Sequence, residues 1–190
     1  MVLVVIDGLD GSGKSTQALR LYKFLRGRGK SVCLRIHPSS DNFLGLQTRK
    51  SLQSKGRNAH LSAALFYMFD VFRSIILYSR QKYDYIVFVR YLMGTAYLPT
   101  PLCLVAYKFF ATLVPRPDFT FFLDVTPEEA SKRVKTRQKQ EMFETPEELK
   151  QVRQRSLSLA KRGRWTIIDA ERPIEEVEEQ ILRTLSKKKV

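Results

Sequence analysis

A glycine-rich loop between an apolar strand and a helix constrains this chain more than any other feature of its sequence. The segment GLDGSGKS, from Gly8 to Ser15, follows the pattern G-x-x-x-x-G-K-S. In this pattern the backbone N–H groups of the loop surround the phosphates of a nucleoside triphosphate, and glycine lets the loop curl with those groups pointing inward. The run VLVVI before the loop and the apolar periodicity after it predict the strand and the helix that the motif requires.

The residues of this loop form a predicted triphosphate site. Lys14 adds a positive charge, and the positive end of the helix dipole near Lys14 is directed at the same phosphates. The Ser15 hydroxyl is a predicted ligand of Mg²⁺. A glycine-rich turn with no ligand is the alternative, but such a turn does not require Lys-Ser-Thr at this offset. The predicted binding residues are Gly8, Leu9, Asp10, Gly11, Ser12, Gly13, Lys14, Ser15 and Thr16.

The charge of the chain favours anionic partners. Among 190 residues, 33 Lys and Arg face 19 Asp and Glu, which gives a formal net charge of +14. Such a surplus suits ATP together with a second nucleotide, but it also suits nucleic acid or a membrane surface, and much of it is expected to be solvated. The length predicts one domain over residues 1–190, because a chain of this size buries a substantial core by itself.

The cysteines and the apolar runs predict an intracellular, cytoplasmic protein. Cys33 and Cys103 both lie in apolar segments, where cysteine usually packs as a small core residue, so we expect free thiols. No segment has the pattern of a signal peptide or the length of a transmembrane helix. The nearest candidate, PLCLVAYKFFATLVP, is short and contains Lys108.

Strand-like and helix-like segments alternate along the chain, which predicts a parallel sheet covered on both faces. The predicted strands are 2–6, 31–36, 85–89, 119–125 and 164–169. The predicted helices are 14–27, 43–54, 60–81, 101–113, 127–137, 146–161 and 173–186. Prolines bracket the apolar segment 102–114, which predicts a compact helix that is either buried or partner-facing, with burial the favoured interpretation.

Beyond the phosphate loop, the chain resembles the thymidylate kinase family of nucleoside monophosphate kinases over nearly its whole length. The order and spacing of several segments carry the resemblance. These segments are VVIDGLDGSGKSTQ at 4–17, VRYLMGTAY at 89–97, RPDFTFFLDVTPEEASKR at 116–133, EMFE at 141–144, VRQRSLSLA at 152–160 and IIDAERPIEEV at 167–177.

The resemblance implies transfer of the γ-phosphoryl group of ATP, with Mg²⁺, to a nucleoside 5′-monophosphate, with dTMP the leading acceptor. It also implies an α/β fold, a P-loop three-layer sandwich with a five-stranded parallel sheet, and a short lid at about 133–145. Such chemistry requires alignment and charge neutralisation, so positive side chains matter most. The predicted catalytic residues are Lys14 in the loop, Arg90 after the third strand and Arg137 in the lid.

Further site residues follow from the same resemblance. Asp10 is expected to contact the sugar of the acceptor, Arg35 an acceptor phosphate, and Phe66 the acceptor base by stacking. Asp7 is a predicted outer-shell partner of Mg²⁺ alongside Ser15. For Phe66 a place in the core is the alternative, because its helix is heavily apolar. The family also predicts a homodimer, through an apolar face supplied by residues 60–77 or 101–113.

The chain departs from the family pattern at positions that matter for catalysis and for recognition of the base. Val89 replaces the aspartate that precedes the motif arginine, and Val71 replaces the arginine expected to bond the thymine edge. The motif is one residue short after Tyr91. His37 lies beside a proline after the second strand, and we interpret it as a loop residue.

Three functions are consistent with these patterns. The first is an active nucleoside monophosphate kinase of thymidylate kinase type. The second is an ATP-binding paralogue with weak or no kinase activity and a regulatory role, which Val89 and Val71 favour. The third is a nucleic-acid-binding ATPase, but the sequence contains no dedicated recognition motif, so nucleic acid is not the expected partner.

Overall fold

Five parallel strands form a single sheet in the order β2-β3-β1-β4-β5. The computed structural model describes residues 1–52, 57–135 and 146–187. The strands are β1 (Val2–Gly8), β2 (Val32–Ile36), β3 (Tyr85–Val89), β4 (Phe119–Asp124) and β5 (Thr166–Asp169). Each predicted strand is present within two residues of its predicted ends, because each is an apolar run of β-branched and aromatic residues.

The first strand lies at the centre of the sheet and ends in the phosphate loop. All seven residues of β1 are buried. The strand pairs with β3 from Val2↔Tyr85 to Ile6↔Val89 and with β4 up to Gly8↔Leu123. Loops that follow the carboxyl ends of neighbouring parallel strands meet at one edge of a sheet, where ligands of open α/β folds bind. The phosphate loop and Arg90 therefore lie at the same edge.

Within the described residues, seven α-helices cover the sheet, at positions close to those that the sequence predicts. They are α1 (Lys14–Gly27), α2 (Phe43–Leu52), α3 (Arg57–Ser79), α4 (Leu102–Leu113), α5 (Pro127–Lys135), α6 (Pro146–Arg162) and α7 (Ile174–Lys187). A short 3₁₀ helix at Met93–Tyr97 was not predicted, because five residues around a glycine carry no helical periodicity.

Alternating side chains of the central strands build two separate apolar clusters. Val5, Phe88 and Phe122 belong to the cluster under α3, α4 and α6, whereas Val4 and Phe121 belong to the cluster under α1 and α7. Successive residues of a strand point to opposite faces of the sheet, so one apolar strand supplies both layers. The predicted three-layer sandwich is confirmed.

The predicted burial of the fourth helix is wrong. Cys103 is the one fully buried residue within α4. The apolar residues on its outer face are exposed at about helical spacing, and they are Leu102, Val105, Phe109 and Leu113. The sequence pattern could not separate these two outcomes, because apolar residues occupy the whole circumference of this helix.

The prediction of free, buried cysteines is confirmed. Cys33 and Cys103 are buried free thiols. Among the helices of the described residues, none has the length and apolar character needed to cross a membrane.

Candidate functional site

The glycine-rich loop packs tightly against the start of the fifth helix. At Gly11 the backbone has φ +86°, and a Cβ placed there would lie 2.6 Å from the carbonyl oxygen of Ala130 in α5. A side chain at this position would be strained by the left-handed backbone and would also collide with main chain that cannot move aside. Glycine is therefore required at this position both by the left-handed turn of the loop and by the close contact with α5.

Three charged side chains meet above the loop and form what we call the loop cluster: Asp10, Lys14 and Arg90. The Lys14 ammonium donates to the Leu9 carbonyl at 2.8 Å and to Asp10 Oδ1 at 3.0 Å. The Arg90 guanidinium donates through Nη2 to the same Asp10 oxygen. Tyr97, which no sequence pattern indicated as a site residue, donates its hydroxyl to Asp10 Oδ2 at 3.2 Å. The loop cluster unites three predicted site residues from two segments that are 76 positions or more apart in the chain.

Burial and mutual attraction set the charges in the loop cluster. Burial raises the pKa of Asp10, but the positive charges of Arg90 and Lys14 outweigh it and hold that pKa below its ordinary value. Burial lowers the pKa of Lys14, and the Asp10 carboxylate opposes that effect. The cluster has two positive charges and one negative charge, and this positive excess suits a polyanionic ligand.

The backbone around Arg90 is held by hydrogen bonds on both sides of its Cα. Arg90 has φ 62°, a left-handed conformation that is unusual for a residue with a side chain. Its N–H donates to the Ile6 carbonyl at 3.2 Å. The next amide, that of Tyr91, donates to Asp7 Oδ2 at 2.9 Å. A strained backbone of this kind persists only where its surroundings hold it, and such positions are concentrated at functional sites.

Asp7 is a backbone anchor in this arrangement. The carboxylate lies at the end of β1 and also accepts the Gly8 N–H through Oδ1 at 2.9 Å. Burial raises its pKa, and the two backbone hydrogen bonds oppose that effect. Its predicted outer-shell role near Mg²⁺ stays a prediction.

A cavity of about 360 Å³ opens beside the phosphate loop. One wall consists of the loop and the first turn of α1, and Arg133, Arg172 and Ile174 line the other wall. The Ser12 hydroxyl of the loop is buried and has no hydrogen-bond partner among the described residues. Buried polar groups normally have partners, so this hydroxyl points to a polar ligand in the loop. Both the size and the lining suit a nucleotide.

The opposite side of Arg90 is bordered by the second strand and the third helix. Arg35 forms a bidentate pair with Asp41, with both N···O distances at 2.6 Å. Its contact with an acceptor phosphate stays a prediction, and Arg35 lies near this edge of the sheet, in the strand beside β3. The Val71 side chain, which replaces the predicted base-reading arginine, is fully buried in the apolar cluster under α3.

Tyr67 is the aromatic residue of α3 that faces the motif after β3. Its hydroxyl donates to the Tyr91 carbonyl at 2.9 Å. A Cβ on Gly94 would lie 2.3 Å from its ring, so the absence of a side chain at Gly94 permits this contact. Phe66 is half-buried, and one position along a helix turns a side chain by about 100° away from its neighbour. Stacking of Phe66 on a base stays a prediction.

The protein groups available to Mg²⁺ are few. Ser15 and Thr16 are exposed at the first turn of α1. No group of three or more His, Cys, Asp or Glu side chains that could hold a metal ion occurs within residues 1–52, 57–135 and 146–187. Mg²⁺ that is bound mainly by nucleotide phosphates and waters needs only one or two protein groups, so the exposed Ser15 hydroxyl fits such an ion.

Two predicted site features cannot be compared with the structure. Arg137 and nearly all of the predicted lid at about 133–145 lie outside the described residues.

Val89 is described, and its side chain is fully buried in the apolar cluster under α1. At the position where the motif has a carboxylate, this chain therefore has a core residue.

Comparison with known proteins identifies what the chain is similar to. Residues 6–181 match the family model described as thymidylate kinase. A probable thymidylate kinase from Pyrobaculum calidifontis is 31% identical over 98% of this chain and 96% of its own length. A thymidylate kinase from Thermosipho melanesiensis is 29% identical over 97% of each chain. The solved structure of thymidylate kinase from Candida albicans matches the fold with a TM-score of 0.80 at 22% identity, over 98% of this chain and 91% of that one.

Proposed function

The chain belongs to the thymidylate kinase family, and on that basis we propose that it transfers the γ-phosphoryl group of ATP to dTMP. An oxygen of the dTMP phosphate forms a bond to the γ-phosphorus, the bond from that phosphorus to the β,γ-bridging oxygen breaks, and ADP and dTDP leave. The observation that carries this proposal is the loop cluster, in which Lys14 and Arg90 converge on Asp10 at the mouth of the phosphate loop.

The donor nucleotide occupies the cavity beside the loop in this proposal. The base and sugar lie between the loop and the wall that includes Arg133 and Arg172, and the phosphates lie in the loop. The ammonium of Lys14 then exchanges its contacts with Leu9 and Asp10 for contacts with phosphate oxygens. The Ser12 hydroxyl gains the partner that it lacks among the described residues.

The acceptor lies on the other side of the loop cluster. Asp10 accepts from the sugar, and Arg90 stabilises the charge that is spread over the transferring phosphoryl group. Transfer needs no protein nucleophile, because its demands are alignment and charge neutralisation. Mg²⁺ would supply further neutralisation of the phosphate charge, and the Ser15 hydroxyl is the protein group that would hold it.

The two alternative functions receive less support. Family membership and the assembled loop cluster favour an enzyme over a binding-only paralogue. A nucleic-acid-binding ATPase would use the positive surplus of the chain, but the described site accounts for Lys14, Arg90 and Arg133 without nucleic acid. We infer that the protein acts in the cytoplasm, where its nucleotide substrates occur.

The choice of acceptor is tested by a panel of nucleoside monophosphates. Purified protein is incubated with Mg-ATP and dTMP, dUMP, UMP, CMP, AMP or GMP, and the release of ADP is measured. We expect dTMP to give the highest kcat/KM. Discrimination between the bases is expected to be modest, because strong discrimination requires placed polar groups. At the position of the arginine that would bond the thymine edge, this chain has the buried Val71. ADP release that no acceptor stimulates would contradict the kinase proposal.

Exposed apolar helix faces support the proposal of a homodimer. The first of these faces belongs to α3 and consists of Leu65, Phe69, Ile76 and Leu77. The second belongs to α4 and contains Val105 and Phe109, which are 61% and 58% exposed. Contiguous exposed apolar surface commonly marks an interface. We infer that a second copy of the chain covers one of these two faces.

Sedimentation velocity on matched variants tests the dimer. We expect the unmodified chain to sediment as a dimer at micromolar concentration. One of the two variants Phe69→Glu and Phe109→Glu is expected to sediment as a monomer, because a buried unpaired carboxylate opposes association. The variant that dissociates identifies the helix at the interface. A monomer for the unmodified chain, or dimers for both variants, would contradict the proposed interface.

A further inference from the structure

The loop after the second strand places a buried imidazole directly behind Arg90. The His37 side chain is 1% exposed. Its Nδ1 lies 3.1 Å from the carbonyl oxygen of Arg90, and its Nε2 lies 2.9 Å from the hydroxyl oxygen of Ser74 in α3. The ring also packs edge-on against Phe88, with 5.3 Å between ring centres. His37 is a loop residue, as its place beside a proline predicts, and its ring is buried behind the site.

The neighbours of the ring determine its tautomer. A carbonyl oxygen only accepts, so Nδ1 carries the proton that it donates to Arg90. In the neutral ring Nε2 then accepts, and the Ser74 hydroxyl is its donor. Burial lowers the pKa of His37 to about 4, which keeps the ring neutral at physiological pH. Asp70 opposes this effect and Arg35 reinforces it.

A further hydrogen bond links this pair to Arg35, the residue predicted to contact a phosphate of the acceptor nucleotide. The Ser74 oxygen accepts from Arg35 Nε at 3.2 Å while its hydroxyl donates to His37. A one-way chain of hydrogen bonds therefore runs from Arg35 through Ser74 and His37 to the Arg90 carbonyl. Each member can satisfy this direction at once, and chains of this kind strengthen the bonds within them.

The loop that carries the imidazole is itself anchored to α3. Asp70 is fully buried, and it accepts the Ser39 N–H at 2.7 Å and the Ser39 hydroxyl at 2.6 Å. The amide of Asn42 donates to the same carboxylate at 2.9 Å. His37 also donates its own backbone N–H to the Val89 carbonyl at 3.1 Å. The imidazole therefore has a fixed position relative to the end of β3.

We propose that His37 is a positioning residue for phosphoryl transfer, which holds the Arg90 carbonyl and so keeps Arg90 in the left-handed conformation that aims its guanidinium at the loop cluster. This role rests on the proposed function of Arg90. The Arg90 N–H donates to the Ile6 carbonyl, and the Tyr91 N–H donates to Asp7. The Arg90 carbonyl accepts from His37. The Arg90 carbonyl and the Tyr91 N–H belong to one peptide group, so without the His37 bond that group is held only through the Tyr91 N–H and Asp7. It then tilts more easily about this single contact, and the guanidinium is displaced from the phosphates.

Three substitutions at this position separate a positioning role from a merely structural one. His37→Asn keeps an N–H donor at the place of Nδ1, so it can still bond the Arg90 carbonyl. His37→Gln places its side-chain amide near the position of Nε2, where the amide oxygen can accept from the Ser74 hydroxyl, but it leaves Arg90 without its donor. His37→Phe keeps the ring volume and loses both hydrogen bonds. The variants thus differ mainly in which hydrogen bond survives.

The expected result is a split between the two amide variants. For His37→Gln and His37→Phe we expect kcat with dTMP to fall by about 30- to 100-fold, since a displacement of about 1 Å can cost about 100-fold. His37→Asn is expected to recover kcat to within about fivefold of the unmodified chain, and KM for ATP is expected to change by less than about threefold in every variant. Melting temperatures of the same proteins show whether kcat merely follows stability.

Ser74→Ala tests the same hydrogen-bond chain without a change at His37, and it serves in place of His37→Phe if that variant does not fold. It leaves the Nδ1 donor in place but removes the donor to Nε2, so we expect kcat to fall by only about threefold. Ser158→Ala, at an exposed serine of α6, is the matched control and is expected to leave kcat unchanged.

The outcomes distinguish the two proposals. If the unmodified chain phosphorylates dTMP and His37→Asn is no more active than His37→Gln, or kcat follows melting temperature, the positioning role is wrong and the kinase proposal stands. If the unmodified chain phosphorylates none of the six monophosphates, both proposals are contradicted. A high kcat for His37→Asn together with a low kcat for His37→Gln at equal melting temperature supports the positioning role.

Discussion

Replacement of Arg90 by methionine is expected to lower kcat for phosphorylation of dTMP by about 1,000-fold, the lower end of the effect of an arginine that stabilises a transferring phosphoryl group. Methionine keeps much of the apolar stem and removes the positive charge and the planar fork. The Asp10 carboxylate retains Lys14 and Tyr97 as partners, so the fold is expected to survive. Affinity for ATP is expected to change by less than about threefold, because the loop and Lys14 hold the donor.

Steady-state kinetics and calorimetric titration with ATP check the effect of Arg90→Met. Arg90→Lys, which keeps a charge without the fork, is expected to recover only part of the activity. The matched control is Arg183→Met, because Arg183 lies on the exposed side of α7 and pairs only with Glu179 among the described residues. A kcat for Arg90→Met within about threefold of the unmodified chain would remove Arg90 from the mechanism.

Replacement of Lys14 by methionine is the second large effect that we expect. Loss of one preorganised donor to developing charge typically costs about 100- to 1,000-fold in kcat, and we expect a decrease of that size. Unlike Arg90→Met, this change is also expected to weaken ATP binding, because Lys14 lies within the loop that holds the phosphates. Fluorescence titration with a labelled ATP analogue measures that loss beside the kinetics.

Lys23→Met is the control for this experiment. Lys23 is an exposed residue of the same helix and lies away from the loop. If Lys14→Met and Lys23→Met bind ATP equally well, the phosphate loop is not the donor site, whatever the overall fold.

The sequence predicts the parallel sheet, the alternation of strands and helices along the chain, and the phosphate loop, for clear physical reasons. Strands buried on both faces are apolar along their whole length, and the loop needs glycines and a lysine at fixed offsets. The meeting of Asp10, Lys14 and Arg90 followed from a resemblance and from the rule that carboxyl ends of parallel strands share an edge.

Other parts of the site depend on contacts that no local pattern records. Tyr97 lies in a five-residue 3₁₀ helix without periodicity, and nothing in its neighbourhood indicates that its hydroxyl reaches Asp10. His37 has one polar atom beside Arg90 and another beside Ser74, which is 37 positions later in the chain. Hydrogen bonds over such separations become visible only when the fold is known. The backbone contacts of Asp7 are of the same kind, because no local pattern indicates that its oxygens accept the N–H groups of Gly8 and Tyr91.

Two departures from the family pattern have the same physical meaning. Val71 and Val89 are fully buried in the two apolar clusters on opposite faces of the sheet. At these positions the chain has apolar packing where the family pattern has polar groups. In the proposed mechanism, the alignment of donor and acceptor therefore rests on the loop, Arg90 and the groups that position Arg90.

The most direct test of this account follows the phosphoryl group itself. The unmodified chain is incubated with Mg²⁺, dTMP and ATP labelled in its γ-phosphate, and the labelled products are separated by chromatography. The account predicts that the label appears in dTDP in an amount equal to the ADP that is formed. Label that appears only as inorganic phosphate, or that stays in ATP, would contradict the account.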